Sequence, residues 1–354
     1  MTDIRSILKD AEKKGASDVH ICVDAVPKYR IHGKLTDSPF QKTSASDTLA
    51  MLLSIINEDQ RECFEQKGEI DISVSVSDGR FRVNAYKQRG AISLAIRIVH
   101  TKLPEIAELS IPESILRLTE RNRGLVFISG PAGAGKSTVM ASVLDRINTE
   151  RQCNIITLED PIEYLHTHKN SVVNQKEIGI DSPSYEEALR SAMREDPDVI
   201  YVSSVKSAKS IELMLDAVEM GKLVFAASSK SSAEEVIKSI ISVFSKDDEI
   251  MIRNRLASAL EGVMARKLIH DENGVRKAAC EVLLCDKEVK EAIVKGNYDI
   301  LTDLIRNGHD KGMFTMDESV YTLYKSGAIS AQAAVSSAND PDLIKRAVSQ
   351  NPKG

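Results

Sequence analysis

No run of apolar residues in this 354-residue chain approaches the ~20 that a bilayer crossing requires, which excludes a helical membrane protein. The opening MTDIRSILKDAEKKG lacks a signal peptide's apolar centre and has the spacing of an amphipathic helix, so a cytosolic chain is expected. A large excess of charge of one sign is also missing. A formal net charge of −5 gives no global field to attract a polyanion, and no nucleic acid is expected as a partner. The five cysteines are odd in number, scattered and never spaced as CxxC, a distribution that argues against a disulfide framework and for reduced thiols. There is no internal repeat and no low-complexity tract. The remainder is ample for a folded core: 42% of the side chains are apolar, and the length suits two or three domains.

The most specific local pattern is Gly-Pro-Ala-Gly-Ala-Gly-Lys-Ser at residues 130–137, a complete GxxxxGK[ST] phosphate loop followed by Thr138. Its flanks are correct. Gly124–Ser129 is an apolar run short enough for a buried parallel strand, and Val139–Ile147 carries apolar residues at helical spacing. In such a loop Gly130, Gly133 and Gly135 let the backbone curl, so that the stretch Gly130, Pro131, Ala132, Gly133, Ala134 and Gly135 turns successive backbone N–H groups toward phosphate oxygens. Lys136 then reaches the β- and γ-phosphates and the Ser137 hydroxyl ligates Mg²⁺, which makes ATP and Mg²⁺ the expected cofactors.

Around the loop the chain reads as two architectures. Ile4, Ile7, Leu8 and Ala11 mark a helix face ended by Gly15; SDVHICV and PKYRIHGKL read as strands. A helix is expected near 47–56. EIDISVSVSDGRFRVNAYKQRGAISLAIRIV alternates as antiparallel strands turning at Asp78-Gly79 and Arg89-Gly90. That gives an N-terminal α+β domain over 1–100 and a linker over 101–117, where Pro104 and Pro112 interrupt any period. From 118 to 285 strand and helix alternate as in a parallel sheet: strands 124–129, 153–158, 198–203 and 222–228, helices 136–148, 185–194 and 208–220, then a hairpin turning at Asn273-Gly274. Residues 286–354 read as helical, with breaks at Gly296, Gly308 to Gly312 and Gly327.

Taken together, GASDVHI, PKYRIHGKL, GRFRVNAYKQRGAISLAIRIV, RGLVFISGPAGAGKST, IITLEDPIEYLH, VNQKEIG, EALRSAMREDPDVI and TMDESVYTLYKSGAIS resemble the hexameric ATPases of type IV pili and type II secretion. Within them the chain is most similar to the PilT-like retraction ATPases of twitching motility. The resemblance implies an α/β fold: a small PAS-like α+β domain, a RecA-like phosphate-loop ATPase domain and a helical C-terminal extension. It also implies a cytoplasmic hexamer, or a mixed ring with a paralogous ATPase, peripheral at the inner face of the cell membrane and working with an inner-membrane pilus or secretion platform protein. Related assembly and secretion ATPases carry CxxC pairs in the motor domain; here Cys280 and Cys285 stand alone, which favours the retraction branch.

By the same resemblance, Glu159, Asp160 and Glu163 in ITLEDPIE form the family's acidic box, with Glu163 nearest the hydrolytic water and so the expected catalytic residue. A bland alternative is a solvated helix entry, since Pro161 and carboxylates both suit a first helical turn. Arg82 and Arg97 match arginines that the family points at nucleotide from the first domain, as phosphoryl transfer often requires. Arg190 and Arg194 are expected to be structural, and His166 and His168 to be solvent-exposed rather than a metal pair.

Two departures matter. Where the family has Gly-Glu-Met-Arg-Asp after DPDVI, this chain has Ser203-Ser204-Val205-Lys206-Ser207, placing Ser204 at the glutamate, and Ser229 stands at a histidine that senses nucleotide. A serine cannot act as a carboxylate base, and losing a positioned base lowers a rate by about 10²–10⁴. The helix with two arginines typical of the retraction branch is also altered, to Val289–Gly296 without them. ATP binding with weak hydrolysis is therefore expected. The alternative is a non-hydrolysing regulatory or co-assembling paralogue; an unrelated phosphate-loop kinase is disfavoured by the acidic box.

Overall fold

The computed structural model describes residues 3–31, 33–76, 79–99, 103, 105–205, 207–271 and 274–350. Asp78 and Asn273 of the two expected turns, Pro104 of the expected linker and Lys206 lie outside them. The chain forms two compact units, Met1–Lys102 with Glu163–Leu165, and Leu103–Ile162 with His166–Gly354.

In the first unit the helix Ile4–Lys13 starts where the Asp3 carboxylate accepts from the Arg5 N–H, and it buries Ile4, Ile7, Leu8 and Ala11, the face that the periodicity marks. Strands β1 (Asp18–Ile21), β2 (Lys28–Ile31), β3 (Lys34–Asp37), β4 (Glu69–Val76), β5 (Gly79–Gln88) and β6 (Ala91–Val99) form one sheet in the order β3-β2-β1-β6-β5-β4. All its pairings are antiparallel. The helix expected near 47–56 runs Ala45–Leu53, set early by a reciprocal cap between Ser44 and Asp47. The next helix, Glu58–Lys67, buries only Phe64, and with so little apolar face it leaves no period in the sequence.

The second unit holds β7 (Gly124–Ser129), β8 (Asn154–Glu159), β9 (Val172–Glu177), β10 (Val199–Val202), β11 (Leu223–Ser228), β12 (Leu260–His270) and β13 (Arg276–Leu284), ordered β13-β12-β7-β11-β10-β8-β9. Every pairing is parallel except β12 with β13. Alternate residues of β7 feed the two cores on opposite faces: Leu125 and Phe127 pack with Ile156, Val202 and Val224, whereas Val126 and Ile128 pack with Ile155, Tyr201 and Phe225. The chain leaves β7 and returns in β8, with β11 and β10 inserted between them. That reversal opens a crevice at the carboxyl ends of the strands, where ligands of open α/β sheets bind.

The stretch expected as a linker has structure of its own. It contains a 3₁₀ turn, Ile106–Leu109, and a helix, Glu113–Leu116, and Ile111, Ile115 and Leu116 are buried with Val126 and Ile128. Its prolines hide that packing from a search for periodicity. Beyond β13 the helices Lys287–Lys295, Leu301–Asn307, Met316–Lys325 and Ala331–Ser337 are separated at the expected glycine breaks, and a further break without glycine, at Ala338 to Asp340, precedes the helix Pro341–Gln350. Met316, Val320, Tyr324 and Ile344 pack on Ile269 and Ala279 of the β12–β13 hairpin. Among the described residues no helix is long and apolar enough to cross a membrane.

Candidate functional site

β7 is buried at all six positions and delivers the chain to the phosphate loop at the crevice. Gly130, Gly133 and Gly135 have φ of 146°, 79° and 80°, conformations that L side chains resist. At Gly130 space is limiting as well: a Cβ would lie 2.2 Å from the Arg266 carbonyl oxygen. The helix Lys136–Glu150 begins at Gly135 with no side-chain cap and no acidic residue in its first turn, so its positive end is left for an external anion. Lys136 Nζ donates to the Gly130 carbonyl at 2.7 Å and the Pro131 carbonyl at 3.0 Å. Those carbonyls occupy the ammonium's donors where phosphate oxygens would compete for them. Pro131 and Ala132 are exposed at the loop tip, Ala134 is buried, and Ser137 and Thr138 are half-buried on the first helical turn.

Beside Lys136 lies a cavity of about 520 Å³ whose polar lining is Ser203, Ser204, Ser228, Ser229, Ser239, Ser242 and Lys230. No carboxylate is among its described lining residues. The hydroxyls are partly committed. Ser203 Oγ lies 2.8 Å from Tyr185 Oη and accepts the Asp160 N–H at 3.2 Å, while Ser129 Oγ donates to the Lys230 carbonyl at 2.6 Å. Burial raises Tyr185 to about 12, against the opposing pull of the Ser203 hydrogen bond, so the phenol stays neutral and serves as a fixed dipole.

The acidic box is divided. Glu159 ends β8, is 8% exposed, and accepts from Thr157 Oγ1 at 2.6 Å and Gln175 Nε2 at 3.0 Å. Asp160 is exposed. Glu163 is exposed too, in the short segment that groups with the first unit. The alternative of a helix entry is overturned: among the described residues no helix begins after Pro161 before Tyr185. The expectation for His166 needs correction as well. Its ring is half-buried, Nδ1 is enclosed without a hydrogen-bond partner, and burial lowers its pKa. The packing of the segment after β8 is invisible in a sequence where the histidine stands beside polar and charged residues. His168 is exposed, and its Nδ1 accepts the Val173 N–H at 3.1 Å. Among the described residues no cluster of three His, Cys, Asp or Glu is placed to hold a metal.

In the first unit Arg82 and Arg97 stand directly opposite each other on β5 and β6. Like charges at that spacing repel, and two aspartates offset them: Arg97 Nε is 3.1 Å from Asp18 and Arg82 Nε is 3.9 Å from Asp71. Arg97 also remains 69% exposed. Arg190 and Arg194 lie on and just beyond the helix Tyr185–Ala192, Arg190 exposed.

A sequence profile of the family described as "Type II/IV secretion system protein" matches residues 1–326. The chain belongs to that family. It is 35% identical over 341 residues to the type IV pilus retraction ATPase PilT of Pseudomonas aeruginosa, an alignment covering 96% of this chain and 99% of PilT. It is 32% identical over 347 residues to the type IV pilus ATPase PilU of the same organism, covering 97% and 91% of the two chains. The crystal structure of the pilus retraction motor PilT with bound ADP superposes with a TM-score of 0.91 at 35% identity, over 98% of this chain and all of that one. The type II/IV secretion family fold, a small N-terminal α+β unit and a RecA-like α/β unit with a helical tail, is thus the fold of this chain.

Sequence reasoning passes over Tyr185, which holds Ser203, and Arg266, whose side chain and carbonyl both meet the phosphate loop. The only local signal for Arg266 is that it follows the apolar stretch Val263-Met264-Ala265 within the strand LEGVMARKLIH, which also holds Glu261 and Lys267.

Proposed function

We propose that this protein is an ATP-binding subunit of a type IV pilus retraction machinery, built to hold nucleotide far better than to hydrolyse it. The observation that carries the reading is the contrast inside one crevice: an intact cradle around Lys136 faces a cavity whose polar lining is serine and lysine, with no carboxylate among its described lining residues. The cradle residues fit a triphosphate, because the positive helix end, the positive-φ glycines and the Lys136 ammonium all suit phosphate oxygens. For Mg²⁺ the donor set is thin. Ser137 would contribute a hydroxyl, and phosphate oxygens and water would supply the rest, as Mg²⁺ commonly accepts. Bound Mg²⁺ would neutralise phosphate charge; Ser204 and Ser229, standing where the family resemblance places a glutamate and a histidine, cannot take a proton from water.

Any residual turnover would run through Glu163, with Glu159 and Asp160 as the other carboxylates of the acidic box and Arg82 and Arg97 as cations delivered from a neighbouring subunit. The functional division would follow residues 1–100, 101–117, 118–285 and 286–354. The ring would be a homohexamer or a mixed ring with a paralogous ATPase, at the cytoplasmic face of a membrane platform. The serine lining also favours a second reading, a regulatory or co-assembling paralogue that binds ATP and leaves hydrolysis to its partner. Steady-state phosphate release by purified protein, alone and mixed with an active retraction ATPase, tests both. Weak release alone supports the proposal, and a change in the partner's rate selects the second reading. Sedimentation with and without ATP tests the ring.

A further inference from the structure

Arg266 is a buried charge whose hydrogen-bond partners carry no charge. It lies in β12 with 4% exposure, and β12 pairs with β7 so that Ala265 is level with Ser129 and Arg266 with the start of the phosphate loop. Nε donates to the Ala134 carbonyl at 3.2 Å and Nη1 to the Leu109 carbonyl at 2.6 Å. Among the described residues no carboxylate pairs with it. Its cross-strand neighbour is Cys280, whose thiol burial pushes up in pKa against the pull of the guanidinium, so the sulfur stays neutral. A cation enclosed without an anion is unfavourable until one arrives.

The place where an anion would arrive is adjacent. The Arg266 carbonyl limits Gly130 to glycine, and a Cβ on Gly135 would lie 3.8 Å from Nε, so one residue braces both ends of the loop. The hydrogen bond to the Ala134 carbonyl also polarises the peptide unit whose N–H belongs to Gly135, strengthening that donor.

We propose that Arg266 is a positioning residue that supplies the buried counter-charge of the bound polyphosphate from behind the loop, so that affinity rises with phosphate charge. This rests on the reading of residues 130–137 as a nucleotide cradle. The leverage of Arg266 is electrostatic and acts through the Ala134–Gly135 peptide; Lys136 acts by direct contact.

The test is calorimetric titration of ATP and ADP into the full chain and into Arg266→Gln, Arg266→Met, Arg266→Lys and Lys136→Ala, with circular dichroism melts to confirm folding. The two neutral variants are expected to lose about tenfold in ATP affinity and less in ADP affinity, while Arg266→Lys stays within about threefold of the parent. Arg266→Met stands in should Arg266→Gln not fold. An unchanged ATP affinity in a folded neutral variant overturns the proposal. So does an equal loss in Arg266→Lys, which would reduce Arg266 to packing, or an equal loss for ATP and ADP. ATP affinity unaltered by Lys136→Ala would sink the cradle reading with it, whereas a loss there beside full affinity in Arg266→Gln sinks this inference alone.

Discussion

The strands β7 and β10 run parallel in one sheet and end at the same crevice, but the segments beyond their ends differ in kind. After β7 comes a cradle built mostly from backbone: positive-φ glycines, an uncapped helix end, and Lys136 resting on the loop's own carbonyls. After β10 come Ser203 and Ser204, and after β11 Ser229 and Lys230, neutral hydroxyls and one cation with no base among them. Gripping a phosphate depends on many N–H groups fixed by the fold, whereas splitting water depends on one or two side chains. One of these capacities can therefore be lost while the other stays whole.

The comparison breaks most visibly at Lys136. Lys136→Ala is expected to lower ATP affinity by about 10²-fold or more, since the ammonium would be the side-chain cation that meets the phosphates directly, and calorimetric titration reads the loss. At the other strand end, Ser204→Glu is expected to raise steady-state phosphate release by about 10²-fold with little change in ATP affinity. No gain in rate would move the defect to Ser229. Gly130→Ala sharpens the contrast from the side of stability. With φ at 146° and a Cβ 2.2 Å from the Arg266 carbonyl, it is expected to cost about 2–4 kcal/mol and to lower the melting temperature, whereas Ser204→Ala leaves it nearly unchanged.

The smallest effect concerns pH. Hydrogen bonds from Ser207, the backbone and Ser210 hold Glu186 down at about 2, and Ser207 is also the cap of the helix Ala208–Glu219 that comes after β10. A depressed carboxylate contributes stability in full above its unfolded value near 4.5 and loses it as pH falls toward 2. Glu186→Gln is expected to flatten the acid side of the stability curve over that window, read from chemical denaturation at a series of pH values. The β7 cradle, built from backbone and a lysine, is expected to show no comparable change in that range.

The same contrast explains how much can be read from the sequence. The strand Gly124–Ser129 and the helix from Lys136 are legible to the residue because a fully buried parallel strand is a continuous apolar run and the loop has a fixed spacing. In the first unit the buried face Ile4, Ile7, Leu8 and Ala11 and the alternation of Phe81, Val83 and Ala85 against Arg80, Arg82 and Asn84 are equally plain. Strand β9 escapes such a reading because VVNQKE is a polar edge strand with one neighbour, and an edge needs no apolar run. The packing of Ile111, Ile115 and Leu116 is hidden by the prolines around them. In the site, Ser204 and Ser229 stand out only against the family pattern that the resemblance implies. The buried setting of His166 and the reach of Arg266 to Ala134 depend on elements far apart in the chain, which no local period encodes.

The central claim is a separation of binding from cleavage, and one sample can test it. ATP affinity and magnesium-dependent phosphate release are measured together on the unmodified protein, with Lys136→Ala as the blank. Tight binding, abolished in the blank, with release scarcely above it is the expected result. Rapid release by the unmodified protein, at the rate of a working motor, would contradict the account.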